Sequence, residues 1–168
     1  MWIAVRRLTR ELQQQKFILS EKRLDLAVRE EPHWLKYYLP INLEGKVVLD
    51  VGAGEGETAY FFLKHGAKQV VCIEPETKAF SILLLNAKSH PQIIPIKKCF
   101  ELADLDQQHD FLKVDIEGYE EILLQKSLQK PAVVEVHGFQ LRDKFKKAGY
   151  RIVQPVGIGV NSYAFWKC

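Results

Sequence analysis

Val47-Val48-Leu49-Asp50-Val51-Gly52-Ala53-Gly54-Glu55-Gly56-Glu57-Thr58 is the stretch whose reading decides the fold. A short apolar run of strand type breaks into three glycines at alternate positions. Glu57-Thr58-Ala59-Tyr60-Phe61-Phe62-Leu63 then reads as the start of a helix. A strand feeding a helix through a glycine turn is the cofactor-binding corner of an open α/β sheet. Glycine suits that corner because it tolerates positive φ and, lacking a Cβ, lets a ligand approach the backbone.

The register of the glycines separates two nucleotide classes. Dinucleotide enzymes carry G-x-G-x-x-G, with the pyrophosphate on the helix N-terminus. Counting from Gly52 puts Glu57 at the third glycine, and counting from Gly54 puts Ala59 there. Glu55 and Glu57 also repel a pyrophosphate. An acidic rim suits a cofactor that carries a positive centre. Glu74 closes the second strand and is placed to accept both ribose hydroxyls. Asp50, just before the turn, is placed to fix the loop and face an ammonium group.

Downstream the pattern is regular. Gln69–Ile73 is a second buried strand, followed by a helix over Glu76–Lys88. Ile93–Ile96 is a third strand, which Pro95 demotes to the sheet edge. Asp110–Asp115 is a fourth strand, and Tyr119–Gln125 starts the next helix. Ala132–His137 is a fifth strand, Leu141–Ala148 a helix, and Tyr150–Val153 and Ser162–Trp166 the last two strands. Strands alternating with helices predict right-handed βαβ units and a mainly parallel sheet.

Upstream, residues 1–45 are less legible. The spacing predicts a helix over 2–15, with Trp2, Val5, Leu8 and Leu12 on one stripe. Leu24–Arg29 alternates at period two, which suits a strand, although a continuing helix fits nearly as well. Pro32 fits the first turn of a short helix over Glu31–Tyr38, which Pro40 stops. Trp34, Tyr37 and Tyr38 either pack on the cofactor domain or roof its pocket. Two units result: a helical extension over 1–45 that is a candidate lid, and a cofactor-binding domain over 46–168. The loop Pro155–Asn161 is the other lid candidate.

With 168 residues, 47% of them hydrophobic and 27% charged, the chain suits one domain with a full core. No apolar run approaches the ~18 residues of a membrane span. Apolar residues precede Arg6, Arg7 and Arg10, the reverse of a signal peptide. The three cysteines are scattered without metal-ligand spacing, which indicates a reducing, cytoplasmic setting. A net charge of +3 and pI near 8.7 fall short of the pI above ~9 of a dedicated nucleic-acid domain. They leave an RNA substrate open.

An acidic residue followed by G-x-G-x-G, here Asp50, Gly52, Gly54 and Gly56, resembles the first motif of class I S-adenosylmethionine-dependent methyltransferases. Leu49-Asp50-Val51-Gly52-Ala53, Gly56-Glu57-Thr58-Ala59, Gly66-Ala67-Lys68 and Glu74-Pro75 resemble the FkbM family within that class. Phe111-Leu112-Lys113-Val114-Asp115-Ile116-Glu117-Gly118-Tyr119-Glu120 is similar to its K-x-D-x-E-G-x-E signature. These matches cover roughly residues 46–138. The resemblance implies a Rossmann-like class I fold with a seven-stranded, mostly parallel sheet and helices on both faces. It implies S-adenosylmethionine over the carboxyl ends of strands one, two and four. The implied contacts are Asp50, Gly52, Ala53, Gly54, Gly56, Thr58, Glu74, Pro75 and Asp115, with Cys99 and Phe100 as candidates beside the adenine.

A hydroxyl acceptor needs a base. Asp115, at the end of strand four, is the first candidate, since that position borders the transferred methyl in the class it resembles. Glu117 and His137 are the others. Glu117 and Glu120 also suit the first turn of a helix, where acids complement the dipole. Glu135 and His137 point the same way at the end of strand five. With Asp115 they make either a base pair or a weak metal site, but the spacing is unspecific and no metal is expected. The leading expectation is O-methyl transfer to a small molecule or sugar by a monomer or homodimer. The alternatives are an RNA or protein acceptor, with Arg6, Arg7, Arg10 and the Arg142–Lys147 cluster as footing, or a non-catalytic partner subunit.

Overall fold

The structure, a computed structural model, describes residues 2–153 and 162–166. Two helices come first, α1 (Trp2–Gln14) and α2 (Glu21–Tyr37). Strands and helices then alternate as β1 (Val47–Val51), α3 (Glu57–Lys64), β2 (Gln69–Ile73), α4 (Thr77–Ser89), β3 (Ile93–Ile96) and β4 (Phe111–Val114). Then come β5 (Ala132–Val136), α5 (Phe139–Lys147), β6 (Arg151–Val153) and β7 (Ser162–Trp166). Short 3-10 helices occupy Leu102–Asp106 and Glu120–Gln125.

The sheet runs in the order β3-β2-β1-β4-β5-β7-β6. β3, β2, β1, β4 and β5 pair in parallel, and β7 inserts antiparallel between β5 and β6. Strand order reverses between β1 and β4, so a crevice opens at their carboxyl ends, the usual place for a ligand in such sheets. β3 is the outer strand, where Pro95 costs no interior ladder bond.

Alternation along the strands supplies a core on each face. Val48, Phe111, Val133 and Tyr163 join Phe61, Phe62 and Leu83 on one side. Leu49, Val51, Leu112, Val114 and Val134 join Leu123, Phe145 and Tyr150 on the other. No helix among the described residues is long and apolar enough to cross a membrane.

Three expectations change. Leu24–Arg29 lies inside α2, not a strand. Leu24, Ala27 and Val28 turn inward at helical spacing, while Leu26 faces out. The Ser20 hydroxyl caps this helix by accepting from Arg23 N–H. Pro32 sits in the interior of α2, not at the start of a shorter helix. It removes one backbone bond, yet Ala27, Trp34 and Tyr37 stay buried on either side of it. The helix expected after β4 is a 3-10 helix, Glu120–Gln125. The loop Pro155–Asn161 lies outside the described residues.

α1 and α2 share the core of the sheet. Leu8, Leu12, Phe17, Trp34, Tyr37 and Tyr38 are all buried there. Trp34 meets Phe61 edge-on, and Tyr37 stacks on Tyr163 at 4.4 Å. Asn86 of α4 pins the connection between them. Its Oδ1 accepts from Ile18 N–H at 2.8 Å, and its Nδ2 donates to the carbonyls of Ile18 and Glu55.

Candidate functional site

The turn after β1 is held from beneath. Asp50 is fully buried. Its Oδ2 accepts from the Thr58 hydroxyl at 2.6 Å, and its Oδ1 lies 3.0 Å from Lys113 Nζ. Lys113 also donates to the Gly52 carbonyl at 2.8 Å. Burial alone would lower the Lys113 pKa, but the Asp50 and Asp115 charges raise it, so the ammonium stays charged. Asp50 thus fixes the loop, one of its two expected roles, and its ion-pair partner is Lys113.

Gly52 has φ +76, and a Cβ there would lie 1.7 Å from the Asp115 carbonyl oxygen. The close neighbour that demands glycine is therefore the end of β4. Glu74, at the end of β2, accepts from Gly54 N–H at 2.8 Å and from Glu76 N–H at 2.7 Å. Each carboxylate oxygen keeps a further lone pair.

The two loop acids face the N-terminal segment. Glu55 accepts from the Ser20 N–H and hydroxyl at 2.6 and 2.7 Å. Glu57 accepts from Arg23 at 2.9 Å and from its own loop at Glu55 N–H. Burial raises the Glu57 carboxyl above its usual range, and the Arg23 charge offsets part of that.

Two clefts of opposite character meet at Gly52. One, of 480 Å³, is apolar, lined by Val51, Ile73, Pro75, Cys99, Phe100 and Ile116 among others. The other, of 180 Å³, is lined by Arg23, Glu30, Glu57, Asp115, Glu117, Glu135 and His137, with Trp34 and Tyr38 as its aromatic wall. Thr58 lines this charged cleft, while Ala53 is almost wholly buried. The aromatic residues of α2 therefore both pack on the core and wall the cleft.

Asp115, Glu117 and His137 come together. His137 Nε2 lies 3.8 Å from Asp115 Oδ1 and 3.5 Å from Glu117 Oε2, and Nδ1 lies 2.8 Å from Glu120 Oε1. Burial would lower the His137 pKa, but the Glu120 hydrogen bond and the surrounding carboxylates lift it to about 9. Burial raises the Asp115 carboxyl, with the Lys113 and His137 charges opposing. Glu120 is also buried, yet hydrogen bonds from His137 and Gly118 N–H hold its carboxyl below the usual range.

Lys113 and Glu120, the first and last members of the K-x-D-x-E-G-x-E stretch, have no place among the candidate site residues read from the sequence. Glu120 has a ready helix-start explanation. Lys113 carried a signal: a cation in the middle of the apolar strand Phe111–Val114 needs a buried partner.

No protein-family model matches the chain. It is 33% identical over 111 residues to protein arginine N-methyltransferase 6 of Danio rerio, an alignment covering 64% of this chain and 29% of that protein. The chain thus spans under a third of that relative's length. Its backbone is similar to a candidate RNA methyltransferase from Pyrococcus horikoshii, with TM-score 0.61 and 22% identity over 86% of this chain and 84% of that one. It is also similar to Aeropyrum pernix fibrillarin, solved with natively bound S-adenosyl-L-methionine, with TM-score 0.58 and 15% identity over 74% and 68% of the two chains. These likenesses show the Rossmann-like α/β fold of class I methyltransferases.

Proposed function

We propose that this chain is an S-adenosylmethionine-dependent methyltransferase of FkbM-like type, methylating a hydroxyl of a small molecule or sugar. The observation that carries the reading is the meeting of an apolar and a charged cleft at Gly52. Pro75, Cys99, Phe100 and Ile116 offer an apolar seat for a base, and Glu74, buried beside Pro75 and lining neither cleft, keeps a lone pair on each oxygen that suits ribose hydroxyls. When bound, the cofactor supplies a methyl already activated on a sulfonium, so alignment and water exclusion are the protein's main tasks.

The chain's own residues do the rest. Trp34 and Tyr38 wall the charged cleft against water. Asp115 and Glu117 stand 3.8 and 3.5 Å from His137 Nε2 in the charged cleft, where an acceptor hydroxyl would lose its proton to one of the three.

A second reading has its own observation. Glu30, Glu57, Asp115, Glu117 and Glu135 all line the charged cleft, which favours a cationic nitrogen on a protein acceptor. The likeness to an arginine N-methyltransferase supports that direction. An RNA acceptor meets carboxylates at the same place, and its binding would fall steeply with salt.

Calorimetric titration with S-adenosylmethionine tests the cofactor. Wild type binds, NADH does not compete, and Glu74→Ala weakens binding by about ten-fold or more. Equal binding by both chains, or NADH in the same site, would refute the reading. Methyl transfer from radiolabelled cofactor to a small-molecule fraction, against a protein fraction, then separates the two acceptor classes.

A further inference from the structure

We propose that Asp115, Glu120 and His137 form a binding site for a divalent cation of the magnesium or manganese kind, beside the charged cleft. The three come from three places: the residue after β4, the first residue of the 3-10 helix, and the residue after β5. Each offers one ligand atom, and those atoms lie within 4.8 Å of one another. Ligands sharing one such ion at about 2.1 Å stand roughly 3–4 Å apart, so a small side-chain adjustment closes the set.

The decisive observation is separate from the clustering of acids. Glu120 is fully buried, and its Oε2 has no hydrogen-bond partner. Asp115 Oδ1 is likewise buried and without one. Among the described residues only Asp50 Oδ1 shares that condition, and it lies against Lys113. A buried carboxylate oxygen without a donor costs free energy unless a cation meets it.

Other groups near the cluster fit the same picture. Lys113 is engaged with Asp50 and Gly52, and Arg23 with Glu57. Lys113 and Arg23 are thus directed elsewhere, the nearest cation, His137, is itself one of the three proposed ligands, and Glu117 and Glu135 add negative charge to the same cleft. Oxygen ligands with one imidazole suit manganese or magnesium better than a thiolate-seeking metal. Asp115 and His137 line the charged cleft, so an ion they held would be within reach of an acceptor hydroxyl there and would polarise it. Glu117, exposed and 3.5 Å from His137 Nε2, is then left to take the hydroxyl proton. The ion's use on an acceptor rests on the hydroxyl reading above; its binding to the chain does not.

Manganese alone is the probe, followed by electron paramagnetic resonance and calorimetry on the full chain without cofactor or acceptor. Wild type should take up one Mn2+ per chain with Kd of about 10⁻⁴ M, in the range of weak oxygen-ligand sites. Mg2+ should compete. Glu120→Gln and His137→Ala should each weaken uptake at least ten-fold, and Glu121→Gln, an exposed neighbour, should leave it unchanged. Circular dichroism confirms folding, and Asp115→Asn replaces either variant that fails it. Absence of saturable Mn2+ binding in a chain that binds S-adenosylmethionine overturns the proposal. So does binding that none of these ligand variants weakens. Mn2+ uptake in a chain that ignores S-adenosylmethionine upholds the cation site and counts only against the methyltransferase reading.

Discussion

Lys113 Nζ lies 3.0 Å from Asp50 Oδ1, and both side chains are almost completely buried. The pair joins adjacent parallel strands, since Asp50 of β1 stands opposite Lys113 of β4. Thr58 and the Gly52 carbonyl complete its hydrogen bonds, so strand, glycine turn and helix start are tied at one point. Removing one partner of a buried pair strands the other charge.

Lys113→Met should therefore destabilise the chain by about 3–5 kcal/mol, read as a lower midpoint in urea unfolding. Combining it with Asp50→Asn should recover part of the loss, because no buried carboxylate is left unpaired. A double variant weaker than Lys113→Met by the full cost of a second independent lesion would show that the two residues do not act as a pair.

The Arg23–Glu57 contact should make stability depend on pH. Glu57 is buried and raised; without Arg23 its folded-state pKa rises further above its unfolded value. A carboxyl raised in this way carries a penalty that is absent below its unfolded pKa of about 4.3 and grows as pH rises through the folded value. Arg23 is 35% exposed, so solvent screens the pair. Arg23→Met should cost about 1–2 kcal/mol near neutral pH and little below about pH 4.3. Urea titrations across that range measure the gap, and a gap constant with pH would mean that charge is not what was lost.

Asn86 offers a test of how α1 and α2 are attached. Its side chain makes three bonds, to both backbone groups of Ile18 and to the Glu55 carbonyl. Asn86→Leu leaves the buried Glu55 carbonyl and the part-buried Ile18 groups without this partner, for a cost of about 1–3 kcal/mol. Limited proteolysis should then cut within residues 14–20 faster than in wild type, and hydrogen exchange at Ile18 should rise with it.

Two glycines with similar φ should respond differently to alanine. At Gly45, φ is +70 and nothing lies within 4 Å of a new Cβ. At Gly52, φ is +76 and the Asp115 carbonyl lies in the way. Gly45→Ala should cost only the conformational term of about 1 kcal/mol, whereas Gly52→Ala must also push β4 aside and should cost at least about 3 kcal/mol. Similar unfolding midpoints for the two variants would contradict the packing described here.

The sheet was legible because its signals are local. Val47–Val51 and the glycine turn declare a strand and its exit within a dozen residues, and Pro95 marks the edge by its missing N–H. The α2 region misled because Leu24, Leu26 and Val28 alternate while Leu24, Ala27 and Val28 also fit a helix; burial against α3 decided between them. The candidate base Asp115 was readable from its strand end. What Glu55, Glu57 and Glu120 touch was not, because Ser20, Arg23 and His137 are distant in sequence and only folding brings them near.

Because Ser20, Arg23 and Asn86 bind the glycine turn to the first two helices, neither can change shape without the other registering it. A molecule lodged in the charged cleft against Gly52 would meet α2 directly, since Arg23, Glu30 and Trp34 line the same cleft. By thermodynamic reciprocity, a macromolecule that gripped or peeled away α1 and α2 would tune how firmly that molecule is held. The amino-terminal helices are, in that sense, a handle on the crevice at Gly52.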